Sequence, residues 1–315
     1  MDIVRLFKSM GDETRLRLLH LLLHHELNVN ELVRIMDMGQ SRISRHLKIL
    51  ADSGLLQSRR DGSYIYYTRI GDADLAHLTD FLIQAGRSRQ DFAADLEKTQ
   101  VLLDERKHKV KTFFNSLVDD WDLLKQEVLG DFSLKRIVAR EAKGARTAAD
   151  LGCGTGEMLL ELGRHAQRVI GVDSSAGMLE KSRQRLSGSG VNADLRLGEL
   201  EHLPIRNGET DLVVMEMVLR HVAVPLEGVK EVSRVLEPGG RFIMADFDRH
   251  NREEIRYRYG GVWAGFDNEQ LRDWLQQAGL DLLELEQHRV QQGLGVNVCL
   301  AVKPLSFAGA NCSKG

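Results

Sequence analysis

Between Thr147 and Glu157 the chain reads Thr-Ala-Ala-Asp-Leu-Gly-Cys-Gly-Thr-Gly-Glu. A short apolar run ends at Asp150, and Gly152, Gly154 and Gly156 then alternate with side chains before a helix opens from Glu157. Glycines at this spacing let the backbone turn tightly and let a ligand come close where a β-carbon would block it. The free N–H groups at the start of the following helix suit a polar ligand. The spacing is Gly-x-Gly-x-Gly, not the Gly-x-Gly-x-x-Gly of dinucleotide sites, and an acid stands at its head. A second strand pattern, Arg168-Val-Ile-Gly-Val-Asp173, ends in another acid 23 residues after Asp150. In a doubly wound parallel sheet both strand ends meet at the crevice where ligands bind, and Asp173 can accept from two neighbouring hydroxyls.

A different chemistry is written between residues 40 and 60. A helix is expected from Gln40 to Ala51, with Ile43, Leu47 and Leu50 forming one buried stripe. Gln40, Ser41, Arg42, Ser44, Arg45, His46 and Lys48 are the candidates of its polar side. A helix that enters the major groove needs hydrogen-bonding side chains on one face and a core stripe on the other. Arg59 and Arg60 follow on a run that, with Tyr64 to Thr68, reads as a hairpin around Asp61-Gly62. At the tip of such a wing these arginines would reach phosphate or the minor groove.

The elements that must carry these residues are legible around them. Asp12 is expected to cap a helix with Leu16, Leu19, Leu22 and Leu23 on its apolar side, and Asn30 to cap the next, with Leu32, Val33 and Met36 inward. Three helices and a basic hairpin make a winged helix-turn-helix. From Leu75 to Leu117, apolar residues including Leu78, Leu82, Ala85, Phe92, Leu96, Leu103, Val110 and Phe113 fall on three- and four-residue steps. That pattern suits either a helix pair across a dimer or a helix packed on its own domain. After residue 147, strand and helix patterns alternate as in a parallel α/β sheet. The organisation expected is a winged helix over 1–85, a helical connector over 86–146, a Rossmann-like α/β domain over 147–303 and a disordered tail from 304 to 315.

The whole chain carries a net charge of −3, so no global basic field marks nucleic acid. The basic excess is local: residues 1–70 hold 11 Lys and Arg against 8 Asp and Glu. Three cysteines without ligand-like spacing suit a reducing cytoplasm. There is no apolar stretch of the length a membrane span needs and no apolar core of a signal peptide near the N-terminus.

Gly11-Asp-Glu-Thr-Arg-Leu and Ser41-Arg-Ile-Ser-Arg-His-Leu-Lys-Ile-Leu-Ala-Asp-Ser-Gly-Leu-Leu closely resemble the ArsR/SmtB repressors. The resemblance implies a homodimer that reads an inverted repeat in double-stranded DNA. Arsenic-sensing members carry a Cys-x-Cys pair in the helix before recognition, and here that helix reads Glu31-Leu-Val-Arg-Ile-Met. Asp74, His77 and His108 imitate the family's interface ligands, but no metal is expected, and a repressor without a metal needs another effector.

Asp150 with its glycines resembles the first motif of class I S-adenosylmethionine-dependent methyltransferases, and the likeness continues in order through residues 112–303. It implies S-adenosylmethionine or S-adenosylhomocysteine as ligand, with Asp173 on the ribose, Ser174 and Met178 beside the adenosine, and Glu199 or the Leu200 amide at the adenine edge. Glu199 stands where aspartate is more usual. Trp121 or Phe114 would cover the ligand, and Glu216 would close the cleft at the fourth strand. For methyl transfer the candidate groups are Glu216, Arg220, His221, Asp246 and His250, with no base singled out. No Asn-Pro-Pro-Tyr-type motif follows the fourth strand, so nucleic-acid N-methylation lacks support. Fusions of this layout resemble repressors of methyl-cycle genes that respond to S-adenosylhomocysteine. An active methyltransferase on a small molecule is the alternative.

Overall fold

The computed structural model describes residues 3–70 and 75–305. The chain divides into two compact units, Met1–Lys107 and His108–Gly315. The first unit begins with α1 (Ile3–Met10), α2 (Glu13–His24), β1 (Leu27–Asn28), α3 (Val29–Met36) and α4 (Gln40–Asp52). It continues through β2 (Leu56–Asp61), β3 (Tyr64–Arg69), α5 (Ala76–Gly86) and most of α6 (Gln90–Ser116). Asp12 caps α2 by accepting from Arg15 N at 3.0 Å. The next cap is Asn28, not Asn30: Asn28 Oδ1 accepts from Glu31 N at 3.1 Å and Glu31 Oε2 accepts from Asn28 N at 2.9 Å. This reciprocal box satisfies two end groups at once. It falls two residues early because β1 pairs Leu27 with Tyr67 and Asn28 with Tyr66, so the helix starts where the strand stops.

Leu18, Leu22, Leu32, Ile43, Leu47 and Leu50 are fully buried in one core. Each contributes about 1.5–3 kcal/mol of burial free energy relative to exposure. The hairpin pairs Asp61 with Tyr64, so Gly62 and Ser63 make the connection, one residue beyond the expected Asp61-Gly62. Gly62 supplies φ +57°. Asp61 is drawn into the ladder because its carboxylate is fully buried against Arg59.

Part of the apolar pattern of residues 75–103 faces its own unit, while Ala85 is exposed and Val110 and Phe113 belong to the second unit. Leu75, Phe92 and Leu103 are buried, Leu78, Leu82 and Leu96 pack on the same core, and Asp95 takes both ends of the Arg17 guanidinium at 2.8 Å. These side chains are therefore not a free dimer seam. The division between units falls inside α6.

The second unit holds α7 (Trp121–Leu129), α8 (Lys135–Glu141), β4 (Thr147–Leu151), α9 (Glu157–Leu162), β5 (Arg168–Asp173), α10 (Ala176–Leu186) and β6 (Ala193–Leu197). It ends with β7 (Thr210–Glu216), α11 (Pro225–Val235), β8 (Leu236–Phe247), α12 (Glu253–Arg258), α13 (Asn268–Gln277), β9 (Asp281–Arg289) and β10 (Gly295–Val302). Seven strands lie in the order β6-β5-β4-β7-β8-β10-β9. β4 runs parallel to both β5 and β7, and only β10 is antiparallel, to β8 and β9. Apolar residues fill both faces, among them Ala148, Leu159, Val169, Val214, Ile243 and Val298. The strand order reverses between β4 and β7, which is where such sheets open a crevice at the strand tips. No helix among the described residues is long and apolar enough to cross a membrane. Asp74 and the last ten residues of the tail lie outside the described residues; among the described residues no group of three or more potential ligand side chains is found.

Candidate functional site

On α4, Gln40, Ser41, Arg42, Arg45 and Lys48 are exposed opposite the buried Ile43, Leu47 and Leu50. Ser44 and His46 are half-buried. Burial pulls the His46 pKa down, and Arg15, Arg42 and Arg45 add to this against the opposing Asp12, whose Oδ1 lies 3.8 Å away. At neutral pH His46 is a neutral hydrogen-bonding group, not a phosphate cation. Arg59 departs from expectation. Its guanidinium binds Glu26 Oε2 at 3.0 Å and Asp61 Oδ2 at 2.9 Å, with only 14% of the side chain exposed. Arg59 ties β2 to the segment before β1 and is not an available DNA contact. Arg60 is exposed, with its Nε donating to Gly62 O at 3.1 Å.

In the second unit the glycine loop runs from the tip of β4 into α9. Gly152 has φ +71°, and a β-carbon there would lie 2.6 Å from Val218 Cγ1. Gly154 has φ +51°, and its missing β-carbon would lie 3.6 Å from Trp121 Nε1. The indole therefore sits over bare backbone. Asp173, at the tip of β5, braces the loop: Oδ2 accepts from Gly154 N at 2.9 Å and Oδ1 from Ser175 N at 2.8 Å. Burial raises the Asp173 pKa against the pull of these amides. Ser175, not Asp173, caps α10 by accepting from Met178 N at 3.2 Å. Ser174 is half-buried beside it and Met178 is buried. Gly198 N donates to Asp173 O at 3.0 Å, which brings the end of β6 to the same edge. There Glu199 is exposed and Leu200 half-buried.

A charged cluster lies where β4 and β7 end. Asp150 is 2% exposed and its Oδ2 has no hydrogen-bond partner. Burial first, then the nearby Glu216 and Asp173, push its carboxyl up to about 8 against the pull of Lys125. Lys125 of α7 pairs with Glu216 and lies 3.4 Å from Glu157 Oε2. Burial lowers the Lys125 pKa, but Glu216, Glu157 and Asp150 outweigh it and hold the ammonium above its ordinary value. Asp122 at the start of α7 accepts from Thr155 Oγ1 at 2.7 Å and also binds Arg185. Lys125 and Asp122 are absent from the residues singled out in the sequence. The signal was available: Trp121 and Lys125 are four apart, on one face of a short helix.

The candidate acid–base groups separate clearly. Arg220 and Asp246 are consumed by one another, with Arg220 N donating to Asp246 Oδ2 at 3.0 Å and Nη1 to Oδ1 at 3.1 Å. Both are buried, so this pair fixes the loop after β7 and is not placed for proton transfer. Met217, just before it, holds φ +60°. His250 Nδ1 accepts from Arg252 N at 3.2 Å. His221 differs from all of these. Its Nδ1 lies 3.0 Å from Gly260 O, an acceptor, so Nδ1 carries the proton. Its Nε2 is buried and has no partner, and the ring meets Phe114 edge-on at 4.8 Å with Trp121 at 6.4 Å. Burial, and then Arg220, hold the imidazole pKa well below the usual range, which leaves a neutral ring with a free lone pair.

Comparison with known proteins locates the same two regions. Residues 12–58 match the model of the bacterial regulatory protein, arsR family, and residues 149–244 match the methyltransferase domain. A 37.1 kDa protein of a Streptomyces fradiae transposon is 39% identical over 113 residues, 35% of this chain and 32% of that protein. A demethylmenaquinone methyltransferase of Symbiobacterium thermophilum is 30% identical over 172 residues, 52% of this chain and 68% of that enzyme. The chain thus spans a third of the first relative's length and two thirds of the second's. Among solved structures, the [4+2]-cyclase SpnF superposes with a TM-score of 0.54 at 17% identity, over 62% of this chain and 95% of that one. This likeness shows the fold alone.

Proposed function

Because the chain belongs to the class I S-adenosylmethionine-dependent methyltransferases and carries an ArsR-family helix-turn-helix ahead of that domain, we propose that it is a DNA-binding transcriptional repressor whose methyltransferase-fold unit takes S-adenosylmethionine or S-adenosylhomocysteine as effector. One observation carries the reading. The chain joins an exposed basic helix face to a braced glycine loop, while two of its candidate acid–base groups, Arg220 and Asp246, are bound to each other. The cleft residues fit an adenosyl ligand. Bare backbone at Gly154 lets a ligand approach the loop, Asp173 keeps acceptor lone pairs for a diol, and Asp150 offers a buried oxygen without a partner.

In this reading the protein acts in the cytoplasm as a homodimer on an inverted-repeat operator. Ile3 and Phe7 on α1 and Phe81 on α5, all more than half exposed, supply apolar surface for a second copy. The nucleoside shifts operator affinity only as far as it binds the DNA-competent and DNA-incompetent states differently.

The test is an operator duplex selected from a random library and titrated with protein, with and without each nucleoside at saturation. The expected result is a change in DNA affinity with at least one of them. Affinity should also fall by about 10³-fold or more between about 50 and 200 mM salt, as neutralising roughly six phosphates requires. Unchanged affinity under saturating ligand removes the effector role.

A second reading, an active methyltransferase on a small molecule, is favoured by His221. A neutral imidazole with a free, buried Nε2 between aromatic rings is equipped to accept a proton from a bound hydroxyl. If the protein turns over S-adenosylmethionine, His221→Phe is expected to lower the rate by about 10²- to 10⁴-fold with nucleoside binding retained. An unaltered rate excludes His221 as the base.

A further inference from the structure

Helix α6 is the one described element whose residues belong to both units, and its support is uneven along its length. Its first part is anchored by the buried Phe92, Asp95, Thr99, Leu102 and Leu103. There it clasps α3 at both ends. Lys98 Nζ donates to Ile35 O at 3.1 Å, near the C-terminus of that helix. Arg106 Nε donates to Glu31 Oε1 at 3.0 Å, with the two side chains 11% and 14% exposed. Glu31 is also the residue that closes the capping box with Asn28. Only the turn through Asp37, at φ +51°, and Gly39 separates α3 from α4 and its exposed basic face.

The last turns of α6 answer to the cleft instead. Phe114 meets Trp121 at 4.9 Å and His221 at 4.8 Å, both edge-on. Asn115 Oδ1 accepts from Ser175 Oγ at 2.7 Å, and Ser175 N donates to Asp173, the carboxylate that braces the glycine loop. Between the two anchors, from Asp104 to Thr112, no residue is fully buried. Arg106, Lys107, Lys109 and Lys111 place like charges three and four residues apart, which weakens a helix. A helical stretch shorter than about 12–15 residues is marginal in water on its own. This segment is therefore helical because both of its ends are held, and it loosens when either is freed. We propose that α6 transmits effector binding: an adenosyl ligand seated against Asp173 and the cleft aromatics firms its last turns, residues 104–112 become ordered, and the clasp on α3 then fixes how α4 is presented to DNA. The proposal rests on the nucleoside-effector reading above and adds the device through which that site acts. Coupling requires an element with two states that both sites bias, and a helix this poorly supported is one.

The experiment measures, on the full-length protein, the ratio of operator affinities with and without each adenosyl nucleoside, at concentrations saturating for each variant. The wild type is expected to show a ratio of about 5- to 150-fold with at least one of them, the usual span of coupling between sites. His108→Gly with Lys109→Gly weakens the helix at two exposed positions without removing a packed side chain. His108→Ala with Lys109→Ala removes the same side chains and keeps the helix. The glycine pair should bring the ratio to within about twofold of one, while the alanine pair should stay within about twofold of wild type. Arg106→Gln, which opens the clasp on α3 far from the cleft residues, should also abolish the ratio, with nucleoside affinity by calorimetry retained. Hydrogen exchange supplies an arm that needs neither DNA nor a variant: saturating nucleoside should slow the amides of residues 104–112 by about tenfold or more. A glycine pair that keeps the wild-type ratio, an alanine pair that loses it, or exchange over 104–112 that ignores a bound nucleoside overturns the proposal. If the wild type binds a nucleoside and its operator affinity does not change, the effector reading itself is what fails.

Discussion

Asp173→Ala is expected to weaken both adenosyl nucleosides by about 10²- to 10³-fold, the range for truncating a buried, hydrogen-bonded charge. Operator affinity in the absence of ligand should stay unchanged. The reason is that, in the proposed reading, Asp173 has two jobs for one carboxylate. The carboxylate oxygens already hold the Gly154 and Ser175 amides, and a carboxylate has about four acceptor sites, so it keeps capacity for a diol. Truncation removes both the brace that keeps the loop open to the ligand and the acceptors that the ligand would use. Asp173→Asn separates the effects, since the amide keeps the volume but places N–H donors against one of the two backbone N–H groups. It should recover little of the affinity. Calorimetry on folded variants checks this, and nucleoside affinities within about threefold of wild type, on the order of 0.65 kcal/mol, would dismiss the ribose assignment.

Arg59→Ala is expected to lower the stability of the DNA-binding unit by about 3–5 kcal/mol, the cost of leaving buried charges without their partner. Asp61 is fully buried and Glu26 is 17% exposed at its side chain, and both pair with Arg59. Burial alone would lower the Arg59 pKa, but Glu26 and then Asp61 raise it, so the guanidinium stays charged. A thermal melt should show the first transition displaced by about 4–8 °C per kcal/mol for a domain of this size. Arg60→Ala is the matched control. Its side chain is exposed, so the melt should barely move while operator affinity falls. If Arg59→Ala melts like the wild type and loses only DNA binding, the arginine belongs to the interface after all.

These two residues illustrate what could be read in advance. Asp173 was legible because its partners are local in pattern: a strand, an acid at its tip and a glycine loop on the preceding strand, joined by a sheet topology that few alternatives satisfy. Arg59 was not, because its fate is decided by Glu26, 33 residues away, which meets it only once β1 has paired with β3. The α4 face was legible from period alone, since Ile43, Leu47 and Leu50 define the buried side and leave the rest to solvent. Over residues 75–117 the same period left two readings open. An apolar seam states that a helix face is buried, not against what, and here Phe92 and Leu103 found their own core. Asn28 and Asn30 are equally good caps in isolation, and strand pairing chose between them. Lys125 was passed over because its partners are distant in sequence: only the ends of β4 and β7 bring Asp150 and Glu216 beside it.

The position of β10 has a consequence for how the second unit is made. Among the described residues this strand comes last in sequence, yet it lies inside the sheet, pairing with β8 on one side and β9 on the other. As the polypeptide leaves the ribosome, β4 to β8 can assemble, but β9 has no neighbour and one flank of β8 stays open until residues 295–302 emerge. An open, apolar strand flank is a template for pairing with another chain. The nascent unit is therefore most prone to aggregate while residues 295–302 are still missing, and rare codons or stalling ahead of residue 295 should reduce the yield of soluble product more than the same delay placed earlier.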